Sequence, residues 1–162
     1  MFGQSAHHIH FNMGVFNRKG DHPRWLTEGL AQMFEVPPGR SGSGLGTTNN
    51  YRLYEYRAIY GKDPQRLGDL REFIVNDGRW EGGRSYSYGW ALVQYLMRDQ
   101  KPKFAKFMQR QAAREDEVEL SETEKQQEFE DLFGVVDDKY RKKFSDYVND
   151  LPLKISELPN AP

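Results

Sequence analysis

Residues 23–35 read Pro-Arg-Trp-Leu-Thr-Glu-Gly-Leu-Ala-Gln-Met-Phe-Glu. Trp25, Leu26, Leu30, Met33 and Phe34 recur at helical spacing and predict a helix with one buried stripe. Pro23 suits the first turn of that helix, and Pro37-Pro38-Gly39 ends it. The same period continues on either side. A short helix is expected over residues 4–15, ending near Gly14. Beyond a Gly- and Pro-rich loop at 37–50, helices are expected over Tyr51–Tyr60, around Leu67, Leu70, Phe73 and Ile74, and from Tyr86 to about Gln100. Others carry Phe104, Phe107 and Met108, then Phe129, Leu132 and Phe133, and last Tyr140, Phe144, Tyr147 and Val148. Asn49 or Asn50, Ser85, Ser121 and Asp137 or Asp138 are the expected helix caps. Asn76–Arg84 reads as a second glycine-rich loop. Strand signals are weak, and the chain reads as mainly α.

The composition narrows the function classes. The 162 residues carry 23 Lys and Arg against 24 Asp and Glu, a net charge of −1. Residues 1–114 hold 17 basic and 10 acidic side chains, whereas residues 115–162 hold 6 basic and 14 acidic. A uniformly basic nucleic-acid binder is excluded by that division. Mean hydropathy is low at −0.86, yet aromatics make up 14% of the chain, so a core must be built largely from rings. With no cysteine there is no disulfide and no thiolate metal ligand. No apolar run approaches the ~20 residues that cross a bilayer. The first residues do not form a charged start followed by an apolar stretch, and no signal peptide is expected.

All four histidines, His7, His8, His10 and His22, precede Glu28. On a helix His7 and His10 share a face, whereas His8 points roughly 100° away. Imidazole and carboxylate together suit zinc. Glu28 lies within an apolar stripe, where a carboxylate is costly unless paired or metal-bound. The plainer reading places Glu28 at the polar margin of its helix.

The segment PRWLTEGLAQMFE resembles the P-x-W-L-x-E-G-L-A segment of gluzincin zinc metallopeptidases, and most of all a peptidase-MA-like family of unknown function. The resemblance extends to TNNYR at Thr48–Arg52 and to YSYGWALV at Tyr86–Val93. It implies a helical subdomain like the C-terminal half of a gluzincin, in which His7 matches the second histidine of H-E-x-x-H and Glu28 the third zinc ligand. Tyr86 then sits over the cleft as a donor to a developing oxyanion; the alternative for this tyrosine is the core. The motif is broken, however. Gly3 stands where the family has its first histidine, and Gln4 occupies the position of the general base. Gln4 accepts no proton at neutral pH, and water activation needs both a metal with an open position and a base. Zinc binding is therefore expected to be weak or lost, with His10 the one substitute ligand beside His7.

A zinc metallopeptidase-like domain that is inactive, or truncated at Met1, is the reading that follows. An α-helical interaction domain without metal is the alternative, and an active zinc peptidase follows if the start is misassigned. Residues 1–114 are expected to form the gluzincin-like core with the remnant metal site. Residues 115–162 are expected as acidic helices packed on the same domain, the run at 115–131 being a solvated helix face open to a basic partner. A peptide or protein partner fits either of the first two readings. Arg52 and Arg57 are expected on solvated helix faces, the alternative being that they bind a carboxylate.

Overall fold

Pro23 offers its carbonyl to the amides of Leu26 and Thr27, and the first described helix grows from there. The computed structural model describes residues 20–33, 48–61, 70–76 and 82–158. They form α1 (Arg24–Met33), α2 (Asn50–Tyr60), α3 (Leu70–Val75), α4 (Gly82–Asp99), α5 (Lys101–Ala112), α6 (Glu122–Phe133) and α7 (Asp138–Asp150), then a 3-10 turn at Ile155–Glu157. No strand occurs among the described residues, and the protein is mainly α. The expected helix at 4–15 and the stop at Pro37-Pro38-Gly39 lie outside the described residues, as does Leu67.

Three of the predicted caps form. The Asn49 side chain accepts from the Arg52 amide at 3.2 Å and starts α2. Ser121 and Glu124 form a reciprocal capping box on α6, with Glu124 Oε2 accepting from the Ser121 amide at 2.7 Å. Asp137 caps α7 by accepting from the Tyr140 amide at 2.8 Å. Each pairing satisfies an amide that the helix itself leaves without a partner.

Two expectations need correction. Helix α4 begins at Gly82, so Ser85 lies inside it and does not cap it. The long buried face beyond outweighs a glycine cost of roughly 0.5–1 kcal/mol each at positions 82 and 83. The acidic run is also not one helix face. Residues 114–121 are a loop, with Glu117 at φ 62°, and α6 starts only at Glu122.

Helix α4 is the centre of the fold. Every residue from Ser87 to Leu96 is buried, because α1, α2, α5 and α7 all pack against it. A helix covered on all sides reads as apolar all round, and the Trp90-to-Val93 run has that character. The approach of α1 is set by Gly29. A Cβ there would lie 2.5 Å from the Gly89 carbonyl oxygen and 2.5 Å from Val93 Cγ2.

Aromatic rings fill the rest. Trp25 is fully buried, stacked on Phe107 at 5.5 Å and set edge-on to Phe129 at 5.7 Å. Tyr88 forms a second cluster with Phe73, Tyr60 and Phe144 at 4.3, 5.1 and 5.8 Å between centroids. Helices α6 and α7 thus contribute Phe129 and Phe144 to the core made by α1–α4.

Arg57 on α2 fastens the end of α7. Its Nη2 donates to the carbonyls of Val148 (3.2 Å), Asn149 (2.7 Å) and Leu151. Burial lowers the pKa of this guanidinium from its ordinary value, and the charge of Asp150 works in the opposite direction. The arrangement caps three carbonyls at a helix C-terminus, where positive charge is favourable. Replacement by methionine keeps the stem but leaves those carbonyls without this donor. A loss of about 2 kcal/mol is expected in urea unfolding, because hydrogen bonds to charged groups contribute roughly 1.5–3 kcal/mol. Arg57→Lys should recover only part of it, since an ammonium lacks the planar fork.

The capping box gives a pH-dependent prediction. Hydrogen bonds from the Ser121 amide and side chain hold the Glu124 carboxyl below its ordinary value of 4.5. A depressed carboxyl stabilises the fold above its unfolded value, and that contribution disappears as the pH falls through the lower folded value. Ser121→Ala should cost about 1 kcal/mol at neutral pH, typical of a lost N-cap. The difference in Tm between wild type and Glu124→Ala should narrow as the pH falls below 4.5, and a constant difference would show that the box is not titrating.

Candidate functional site

The polar positions of α1 line up one turn apart. Glu28 and Gln32 are i, i+4 neighbours and share a face. The Glu28 side chain is only 16% exposed, and Arg24 Nε lies 3.9 Å from its Oε1. It sits at the margin of the stripe, neither fully buried nor open to solvent. Gln32 is deeper, at 1% exposure. Its backbone carbonyl accepts from Asn49 Nδ2 at 3.1 Å, and its Oε1 accepts from Arg52 Nε at 2.7 Å.

Arg52 joins three elements at this point. Beyond Gln32 it meets Glu55 at 3.2 Å, and its guanidinium lies 5.2 Å from the Tyr51 ring centroid and 5.7 Å from that of Tyr86. The Arg52 side chain is 13% exposed. The expected solvated face is therefore wrong for both arginines: Arg52 takes the carboxylate alternative on Glu55, and Arg57 takes backbone carbonyls. Arg52 stacks between rings and is satisfied by neutral and acidic acceptors, an environment suited to a guanidinium.

Tyr86 is half-buried, one turn before the Gly29–Gly89 contact on α4. Arg52 links this tyrosine to Gln32 across the α1–α4 crossing. The core tyrosines of this helix are Tyr88 and Tyr95, 2% and 1% exposed. Gln32 was not singled out as a site residue in the sequence, whereas Arg52 was weighed there as a carboxylate binder. The available signal was a glutamine one turn beyond Glu28 in an apolar stripe, which demands a polar partner from elsewhere.

His7, His10 and Gln4 lie outside the described residues, and so does His8. Among the described residues no group of three His, Asp or Glu side chains is arranged to hold a metal ion. Glu28 offers a single carboxylate, where structural and catalytic zinc sites use three or four protein ligands. His22 belongs to a cluster at Gln111. Its Nδ1 is 3.1 Å from Gln111 Oε1, and Arg114 Nη2 donates to the same oxygen at 3.1 Å. Arg114 also pairs with Glu128, the two side chains being 10% and 14% exposed. One acid of the 115–131 run is thus held at the α5–α6 junction and not on a solvated face. Leu120 donates its amide to Asp21 Oδ2 at 2.8 Å, which ties the following loop to the entrance of α1.

These features define an all-helical domain with a partly buried Glu–Gln–Arg–Tyr cluster where α1, α2 and α4 meet. A family of proteins of unknown function, DUF1570, matches residues 2–118, and the chain belongs to that family. No curated protein and no solved structure matches the chain. No described helix is long and apolar enough to cross a membrane.

Proposed function

We propose that the chain is a metallopeptidase-like domain that holds a peptide or protein segment at the α1–α2–α4 junction without cleaving it. The observation that supports this most is the position of Glu28. A carboxylate 16% exposed, flanked by Arg24 and one turn from the Gln32–Arg52–Tyr86 cluster, is a polar feature that the apolar packing of α1 does not require. The resemblance of PRWLTEGLAQMFE to gluzincins assigns Glu28 to a third zinc ligand, with His7 and, as a substitute, His10 as its partners. Gly3 and Gln4 remove one ligand and the base. A peptide lying across the junction meets Tyr86 as a hydrogen-bond donor and the Tyr51 and Tyr86 rings as apolar contacts. No proton-accepting group stands at position 4 to activate water.

Zinc analysis of the purified protein tests this reading. Zinc well below one ion per chain is expected, unchanged by Glu28→Ala or His7→Ala. Stoichiometric zinc lost in both variants, together with peptide hydrolysis blocked by a chelator, would restore the active peptidase. A plain α-helical interaction domain is the second reading. It is favoured by the exposed acids Glu115, Asp116, Glu117 and Glu119 in the loop before α6. A basic partner whose binding needs residues 115–121 but tolerates Tyr86→Ala would select it.

A further inference from the structure

The far end of α4 carries a different feature. Asp99 lies thirteen residues beyond Tyr86, about 20 Å along the helix axis at 1.5 Å per residue. There the end of α4, the first turn of α5, the end of α6 and the start of α7 leave a cleft of about 390 Å³. That volume is at the small end of the range of roughly 300–1,000 Å³ typical of small-molecule sites.

The lining combines rings with fixed charge. Phe133, Pro102 and Tyr95 supply apolar wall, and Lys103, Lys143 and Asp99 supply the charges. Lys143 Nζ lies 3.8 Å from Asp99 Oδ2, so that pair is largely self-compensated. Lys103 is exposed and makes no ion pair among the described residues. Helix α5 offers it nothing, since KPKFAKFMQRQA contains no acid. Lys106 and Arg110, one turn and two turns on, extend the same positive side and repel a second cation. The net charge of the three groups at the cleft is +1, which favours a monoanion.

A polar layer lies beneath the wall: Gln100 Nε2 donates to Tyr95 Oη at 3.1 Å, and the Tyr140 hydroxyl sits beside the same carboxamide. Burial raises the pKa of the Tyr140 hydroxyl, which stays protonated and able to donate at neutral pH.

We infer that this cleft binds a small aromatic carboxylate, its ring against Phe133 and Pro102 and its carboxylate on Lys103 beside Lys143. The charged end lies at the mouth, where lysine stems cover the apolar body and their ammonium groups stay hydrated.

Titration of the isotope-labelled protein with phenylacetate and 4-hydroxyphenylacetate, followed by amide NMR, tests the inference. Shifts confined to residues 95–100, the start of α5, Phe133 and residues 140–143 are expected, with saturation at millimolar ligand or below. Lys103→Glu turns the net charge at the cleft from +1 to −1 and should weaken binding by about tenfold or more. Phenylacetamide, which keeps the ring but lacks the charge, should be weakened similarly. Lys103 is a surface residue, so its variant should keep the wild-type spectrum elsewhere. No shift with either acid up to about 20 mM would overturn the proposal, because weaker binding is on the scale of non-specific contact. Equal binding of acid and amide, or full binding by Lys103→Glu, would overturn it as well.

Discussion

Gly29→Ala is expected to destabilise the fold by about 3 kcal/mol, at the upper end of the range for overpacked cores. On helix propensity alone the substitution should help by about 1 kcal/mol, since alanine is the better helix former. Packing decides the sign. The added Cβ would lie 2.5 Å from the Gly89 carbonyl oxygen, and a backbone atom in the middle of α4 cannot rotate away as a flexible side chain can. Val93 Cγ2 blocks the other side at the same 2.5 Å. Helix α1 must therefore move off α4, which also pulls Gln32 from Arg52. A fall in Tm of roughly 6–12 °C is expected for a chain of this length. An unchanged or higher Tm would show that the two helices do not meet at Gly29.

Trp25→Ala is the second large effect. Its ring is fully buried and spans three helices, from α1 to Phe107 on α5 and Phe129 on α6. Truncating a buried aromatic to alanine costs about 3–5 kcal/mol. The loss should extend beyond α1. Hydrogen exchange in α6 should accelerate along with that in α1, because Phe129 loses one of its ring contacts. Trp25→Phe should lose less than half as much. If Trp25→Ala accelerates exchange in α1 alone, the C-terminal helices are held independently of this core.

Much of the helical framework was legible because its signals are local. Asn49, Ser121 with Glu124, and Asp137 each satisfy an amide two or three residues away, so the pattern in sequence is the interaction itself. Trp25, Leu26, Leu30 and Met33 fall on one face for the same reason. The errors arose where a distant contact decides. Ser85 has the chemistry of a cap, but the packing of α4 carries the helix back to Gly82. Glu128 reads as one more surface acid, yet it pairs with Arg114 at the α5–α6 junction. Arg57 reads as a solvated cation, and its partners are carbonyls more than 90 residues away.

The candidate site shows the same division. Glu28 stands out in sequence as a charge among apolar residues, and the Tyr86 segment as part of a family-like run. Arg52, which joins Gln32 to the Tyr86 ring, is invisible to periodicity because the three residues belong to separate helices. Residues 4–10, where the remaining ligands are expected, lie outside the described residues.

The central claim is that the α1–α2–α4 junction holds peptides without cutting them. The most direct measurement is incubation of the protein with a defined peptide library, with added zinc and separately with a chelator, reading retention and cleavage by mass spectrometry. Retention of a subset of peptides, insensitive to chelator and lost in Tyr86→Ala, with no cleavage in any arm, is the predicted result. Zinc-dependent cleavage, or no retention of any peptide, would contradict it.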